Sequence, residues 1–145
     1  MLTYASEVQI DRPPEVVFRY LIEPARQALW SDVPMRQLTD GELGTGSRME
    51  VVFGMGPVRA HVGLELANVE VPRRMAFRSF SGPIGWEGEY ILAAADGGTR
   101  LGQRGELRFH GLWRLIEPLV GAEIRRGEVK ELERLKAVAE DGAGS

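Results

Sequence analysis

Two histidines, no cysteine and 21 carboxylates bound the chemistry open to this 145-residue chain. Without Cys there is no thiol nucleophile, no disulfide and no thiolate metal site. His61 and Glu65 stand four apart in the strand-like run Val58 to Val71. With period 2, if Val69 and Ala67 face an interior, then Glu65, Gly63 and His61 face it too. A His and a carboxylate on one wall could shuttle a proton from an enolisable ketone, with the Tyr90 hydroxyl as hydrogen-bonding group. His61, Glu65 and Tyr90 are therefore the candidate catalytic set. The opposite register turns Ala60, Val62, Leu64 and Leu66 inward, buries more apolar area and leaves both polar groups in water; sequence alone leaves the two open. His110 falls at a strand-to-helix junction and reads as a surface or capping residue. Tyr4 and Tyr90 could each donate a hydroxyl to a ligand carbonyl.

Other chemistries fail on counting or spacing. Two histidines without nearby paired carboxylates give no closed metal site, so no metal and no cofactor are expected. Gly41, Gly44 and Gly46 lead into a strand rather than a helix and have the wrong spacing for a phosphate loop. No Ser-His-Asp arrangement follows from spacing. Net charge is −3, and the dense basic pair Arg125-Arg126 is followed by Glu128, Glu131 and Glu133. Nucleic acid, which calls for a basic stripe, is not an expected partner. No apolar run approaches the roughly 20 residues of a membrane span, so no stable membrane insertion is expected. The start, Met1 to Glu7, is neither basic nor a long apolar block; with the missing Cys this agrees with a cytoplasmic protein.

The elements that must position these groups form one domain over residues 1–140, with 141–145 as a flexible tail. Tyr4, Val8 and Ile10 alternate in a strand over 3–11. Pro14 suits the first position of a short helix through Ile22, and Ala25–Trp30 reads as a second, closed by Ser31-Asp32. Strands follow over 35–39, 47–53, 58–71, 74–80, 86–93 and 101–109. Gly54–Pro57 reads as a hairpin connection, and Gly97-Gly98 supplies the positive φ of another. Gly63, Gly88, Gly102 and Gly105 lie inside strands and suggest a sharply bent sheet. Arg48, Arg78, Arg104 and Arg108 alternate away from its apolar face.

The segment 112–139 reads as one long helix. Its apolar stripe shifts: Leu112, Leu115, Ile116 and Leu119 share one side, and Ile124, Leu132, Leu135 and Val138 share another. Pro118 stands just before the shift, where a kink is expected. The second half should pack on the sheet while the first leans away and roofs a cavity mouth; were the helix straight, Glu123 would point inward. Glu131–Arg134 and Glu133–Lys136 read as pairs on a solvated flank.

Ile10-Asp11-Arg12-Pro13-Pro14-Glu15-Val16-Val17-Phe18, Leu29-Trp30, Asn68 to Met75, Gly97 to Leu101 and Leu132 to Lys136 occur in an order and spacing that resembles the START/Bet v 1-like helix-grip superfamily, in its polyketide cyclase/dehydrase-like branch. The resemblance runs over about residues 5–139. It implies an α+β helix-grip fold: a curved antiparallel sheet of about seven strands round a C-terminal helix, with two short helices after strand 1. It implies a cavity for a small hydrophobic molecule such as a lipid, polyketide or quinone, and it carries over no catalytic residue. Trp30, Met49, Val51, Phe53 and His61 are candidate wall residues, as are Phe77, Trp86, Tyr90 and Leu107. Leu112, Ile116 and Leu119 would close the roof. For each aromatic the competing reading is ordinary core. Three functions fit: a carrier of a small hydrophobic ligand, a cyclase/dehydratase-type enzyme, and a partner-binding module using the sheet edge or the roof around Leu112-Trp113. A homodimer stays open.

Overall fold

The structure is a computed structural model that describes residues 1–55 and 58–142. The expected hairpin connection at 54–57 lies partly outside the described residues, as do the last three residues of the tail. Strand β1 (Leu2–Ile10) leads into α1 (Pro14–Ile22) and α2 (Pro24–Gln27). Six strands follow: β2 (Met35–Gln37), β3 (Arg48–Met55), β4 (Val58–Glu70), β5 (Arg74–Ser81), β6 (Ile84–Ala95) and β7 (Gly98–Phe109). A 3-10 turn (Gly111–Leu115) then precedes α3 (Glu117–Asp141). The seven strands form one antiparallel sheet in the order β1-β7-β6-β5-β4-β3-β2. This is the helix-grip arrangement.

Prolines set the helix boundaries. Pro14 opens α1, where its missing N–H is not needed, and the Pro13 carbonyl accepts from Val16 and Val17. Pro24 opens α2 rather than merely ending α1. Pro118 behaves in the same way. Instead of kinking one long helix it sits in the first turn of α3, and the residues before it form the separate 3-10 turn. A proline is tolerated where N–H groups have no intrahelical acceptor, and it restricts the residue before it, so the chain starts a helix there. The β6–β7 hairpin differs in one residue from the expectation. Asp96 and Gly97 carry the positive φ values, 51° and 80°, while Gly98 already pairs with Ala95.

Helix α3 crosses the concave face of the sheet. Leu132, Leu135 and Ala139 are buried in a core with Ile10, Phe18, Leu92 and Leu101. Polar contacts fasten both flanks. Arg125 Nε donates to the Thr3 carbonyl (2.9 Å), Lys136 Nζ to that of Gln9 (2.5 Å), and Arg12 Nη1 to that of Ala139 (2.9 Å). On the other side Arg134 Nη1 donates to the Trp30 carbonyl (3.0 Å) and to Asp32 Oδ1 (2.8 Å). The start of the segment is different: Leu112, Leu115 and Leu119 are 83%, 72% and 79% exposed.

The register of β4 corrects the sequence reading. Ala60, Val62, Leu64 and Leu66 are buried, and Val69 also packs on the core. Strict alternation cannot hold both sets, and the pairing with β5 shifts between Leu66 and Asn68. The extra residue of that bulge resets the period. Counting back from Val69 by twos therefore arrives at the wrong face.

Candidate functional site

An open cleft of about 710 Å³ lies between the start of the C-terminal segment and the rim of the sheet. Its walls come from three places. Asp32 and Val33 belong to the loop after α2, and Phe53 and Gly54 to the end of β3. Leu112, Trp113, Ile116, Leu119, Val120 and Ile124 come from the 3-10 turn and the first turns of α3, together with Glu123, Gly127, Glu128 and Glu131. Beneath it is a smaller inner cavity of about 70 Å³, room for about two waters. Leu21, Trp30, Met35, Met49, Val51, Leu64, Phe77, Trp86 and Tyr90 are in its wall. The two spaces share Val33, Glu128 and Glu131, so the carboxylates stand at the throat between them.

Most of the candidate wall residues reach this site. Trp30, Met49, Val51, Phe77, Trp86 and Tyr90 line the inner cavity; Phe53, Leu112, Ile116 and Leu119 line the cleft. Leu107 borders neither space and is packed core, 1% exposed, paired across the sheet with Leu2 and Trp86. His61 and Glu65 are on the opposite, outer face. The His61 side chain is 62% exposed, with Nδ1 3.3 Å from Glu50 Oε1. Glu65 lies 3.4 Å from Arg48 and 3.5 Å from Arg78. The proposed His61–Glu65–Tyr90 set is therefore not assembled: the sheet stands between its members, because the β4 bulge fixed the other register.

The aromatic floor is positioned by glycine. Tyr4 pairs with Gly105 across β1 and β7, and a Cβ at Gly105 would collide with the Tyr4 ring and hydroxyl. With no Cβ there, the Tyr4 ring lies along the inner face of the sheet. Its hydroxyl accepts from Trp86 Nε1 at 2.9 Å. Trp86 stacks edge-on with Phe53 and Phe77, and Tyr90 edge-on with Trp30. Trp30 is itself fixed by donation from Nε1 to the Tyr20 carbonyl, 2.8 Å.

The residues missed from sequence are Glu128 and Glu131. Glu128 follows Ile124 and precedes Leu132 by four, so it stands on the apolar stripe of α3, and Glu131 is four before the buried Leu135. That spacing was the available signal; pairing Glu131 with Arg134 as a solvated flank obscured it. Burial pushes the Glu128 carboxyl up to about 8, and the charge of Glu131 adds to the shift. Glu131 is raised to about 7, again mainly by burial. The Asp32 N–H (3.3 Å) draws it down, the Asp32 carboxylate pushes it up, and Arg134 draws it down. The Tyr90 phenol is pushed well above its usual range by burial and then by Glu128, Tyr4 and Glu131. The Tyr4 phenol is raised by burial and Glu128 against the opposing Trp86 hydrogen bond. Gln103 donates from Nε2 to Ser6 Oγ (3.0 Å) and to the Glu128 backbone carbonyl (3.1 Å), which ties this part of α3 to the floor.

A family model described as "Polyketide cyclase / dehydrase and lipid transport" matches residues 1–140. Among curated proteins there is no match. Solved structures of the same fold include TTHA0849 from Thermus thermophilus, 17% identical, with a TM-score of 0.80 over 98% of this chain and 99% of that one. Ara h 8.0201 is 14% identical with a TM-score of 0.69 over 96% and 97%. DynU16, of the dynemicin biosynthetic locus, is 21% identical with a TM-score of 0.71; the match takes in 98% of this chain and 48% of that one. At these identities the likeness establishes the fold.

Proposed function

The chain belongs to the polyketide cyclase/dehydrase and lipid-transport family, and we propose that it binds a small, largely apolar molecule in the cleft between the C-terminal segment and the sheet. The observation that carries this reading is the cleft itself. Its volume is in the range of small-molecule sites, its wall is mostly apolar, and it narrows to a throat with few polar groups. Exposed Leu112 and Leu119 at its mouth are costly to leave in water, and a bound apolar molecule would cover them at about 25 cal/mol per Å². Gly127 offers a clean test. It lines the cleft, and a Cβ there meets nothing within 4 Å. Replacing a helical Gly also favours the helix. Gly127→Phe should fill the cleft and weaken binding of the neutral probe N-phenyl-1-naphthylamine at least about tenfold while leaving the melting temperature unchanged or higher. Undiminished probe binding in the folded variant would overturn the reading.

A second reading, an acid–base enzyme of the cyclase/dehydratase kind, is favoured by one observation: Glu128 and Glu131 share the lining of the inner cavity with Tyr90, where burial pushes their carboxyls up to about 8 and about 7. A carboxylate there could take the α-proton of an enolisable ketone while the phenol holds the enolate oxygen, and return the proton afterwards. The check is deuterium incorporation from solvent into 2-tetralone. Catalysed exchange that Glu128→Gln abolishes supports it; exchange no faster than with Glu128→Gln removes it.

A further inference from the structure

The charges lining the cleft and inner cavity are all of one sign. Among the described residues the two spaces are lined by Asp32, Glu123, Glu128 and Glu131 and by no Lys, Arg or His. Asp32 is held by Arg134 at 2.8 Å, and Glu123 stands toward the exposed outer end. Among the described residues no basic side chain is hydrogen-bonded or ion-paired to Glu128; Arg125, which borders a separate space on the β1 side together with Glu128, donates to the Thr3 carbonyl instead. Among the described residues Glu131 receives the Asp32 N–H, with Arg134 one turn further on. Behind the pair lie the rings of Trp30, Phe77, Trp86 and Tyr90. Among the described residues the Tyr4 hydroxyl is bonded to Trp86 rather than to either carboxylate, and no hydrogen bond joins the Tyr90 hydroxyl to them. Carboxylates beside a cluster of aromatic rings form a setting for a positive charge. It repels a fatty-acid carboxylate or a phosphate. No group of three or more acidic or His side chains among the described residues is arranged to hold a metal ion, which directs the choice to an organic cation.

We infer that the molecule bound here is a cationic amphiphile, its apolar body along Leu112, Ile116 and Leu119 and its protonated amine at the throat between Glu128 and Glu131. This rests on the ligand-binding reading of the cleft. It adds the charge of the ligand and the direction in which it lies. It also makes binding proton-linked. The charged and titratable groups around the pair are Tyr4 from β1, Tyr90 from β6, Asp32 from the loop after α2, and Glu123, Arg125 and Arg134 on α3 itself. Burial raises both phenols further above their usual range, so they stay neutral and the raised carboxyls are the groups that titrate. An amine cation displaces their protons, and affinity rises from pH 6 to pH 8.5, where an alkylamine is still charged.

The test compares three probes with one twelve-carbon tail: dodecylamine, dodecanol and dodecanoate. Each displaces N-phenyl-1-naphthylamine from the full chain below its micelle concentration, at pH 6 and pH 8.5. Dodecylamine should bind at least about tenfold more tightly than dodecanol at pH 8.5, the equivalent of about 1.4 kcal/mol. Dodecanoate should bind more weakly than dodecanol. The amine's advantage should shrink at pH 6, and calorimetry in two buffers should show proton release on amine binding. Glu128→Gln with Glu131→Gln should erase the preference, so that within that variant dodecylamine binds no more tightly than dodecanol at either pH; a tenfold preference that survives in the variant overturns the assignment of the amine to this pair. Equal affinities, or dodecanoate as the tightest probe, overturn the cationic ligand while leaving the cleft as the binding site. If none of the three displaces the probe, or the probe itself fails to bind, both readings fall.

Discussion

Two glutamates enclosed on opposite faces of one sheet have opposite fates. Glu89 on β6 points outward and is 7% exposed, yet Arg74 (2.7 Å) and Arg104 both reach it. Burial would raise its carboxyl, but the hydrogen bonds and charges of the two arginines outweigh this and hold it below its usual value. Glu128 points into the concave side, meets tyrosines and another glutamate, and is driven up to about 8. The outer face is a lattice of matched charges, with Arg48 and Arg78 on Glu65 and His61 near Glu50. The inner face leaves acids unmatched where the cleft narrows. A half-buried charge without a partner costs stability, so its presence at the throat points to use rather than to folding.

The largest effect should come from removing the unmatched acid. A raised carboxyl binds more protons in the folded than in the unfolded chain. Its penalty is therefore absent below about pH 4, grows as pH rises, and is complete above about pH 8. The full linkage value is several kcal/mol, reduced to about 2 kcal/mol because the carboxyl borders the open cleft. Glu128→Gln should stabilise the protein by that amount at pH 9 and by nothing measurable at pH 4, read from urea melts across pH. A destabilised variant at pH 9 would break the contrast between the faces.

Glu89→Gln should act in the opposite direction. The lowered carboxyl stabilises above the usual carboxylate range and loses that contribution as pH falls through its folded value. A loss of about 1–2 kcal/mol at pH 7 is expected, the arginines being partly exposed, with the difference from the parent fading in acid. The same melts check it. The smallest effect belongs to His61. Its exposed ring contacts only a partly exposed Glu50, so His61→Ala should change stability by less than about 0.5 kcal/mol and probe binding not at all. A tenfold loss of probe affinity in that variant would return the outer face to the functional argument.

A second contrast runs along the C-terminal segment. Leu132 and Leu135 are sealed beneath the sheet, while Leu112 and Leu119 stand in water at the cleft mouth. The shift of the apolar stripe at Pro118 announced this division in sequence: the second half is packed against the sheet as expected, and the residues before and just after Pro118 stand exposed at the cleft. The device differs: Pro118 begins α3 rather than bending a longer helix. Glu123 borders the open cleft but stays exposed, so it is not turned into the core.

Local chemistry determined much of this molecule on its own. Prolines at 14, 24 and 118 started helices because proline suits only the first turn. Alternation over 47–53, 74–80, 86–93 and 101–109 gave strands because one face of each meets the core. The aromatic wall followed from the same alternation. Two decisions belonged to the tertiary structure. The face presented by His61 depended on one bulge between Leu66 and Asn68, a pairing irregularity between strands that period 2 within one strand does not contain. The meaning of Glu128 depended on how deeply the sheet wraps α3. On an isolated helix that carboxylate is solvated; beneath the curved sheet, facing Tyr4 and Tyr90, it loses water without gaining a cation. Desolvation is a property of the assembled surroundings, and so the site's chemistry appears only when the sheet closes over the helix.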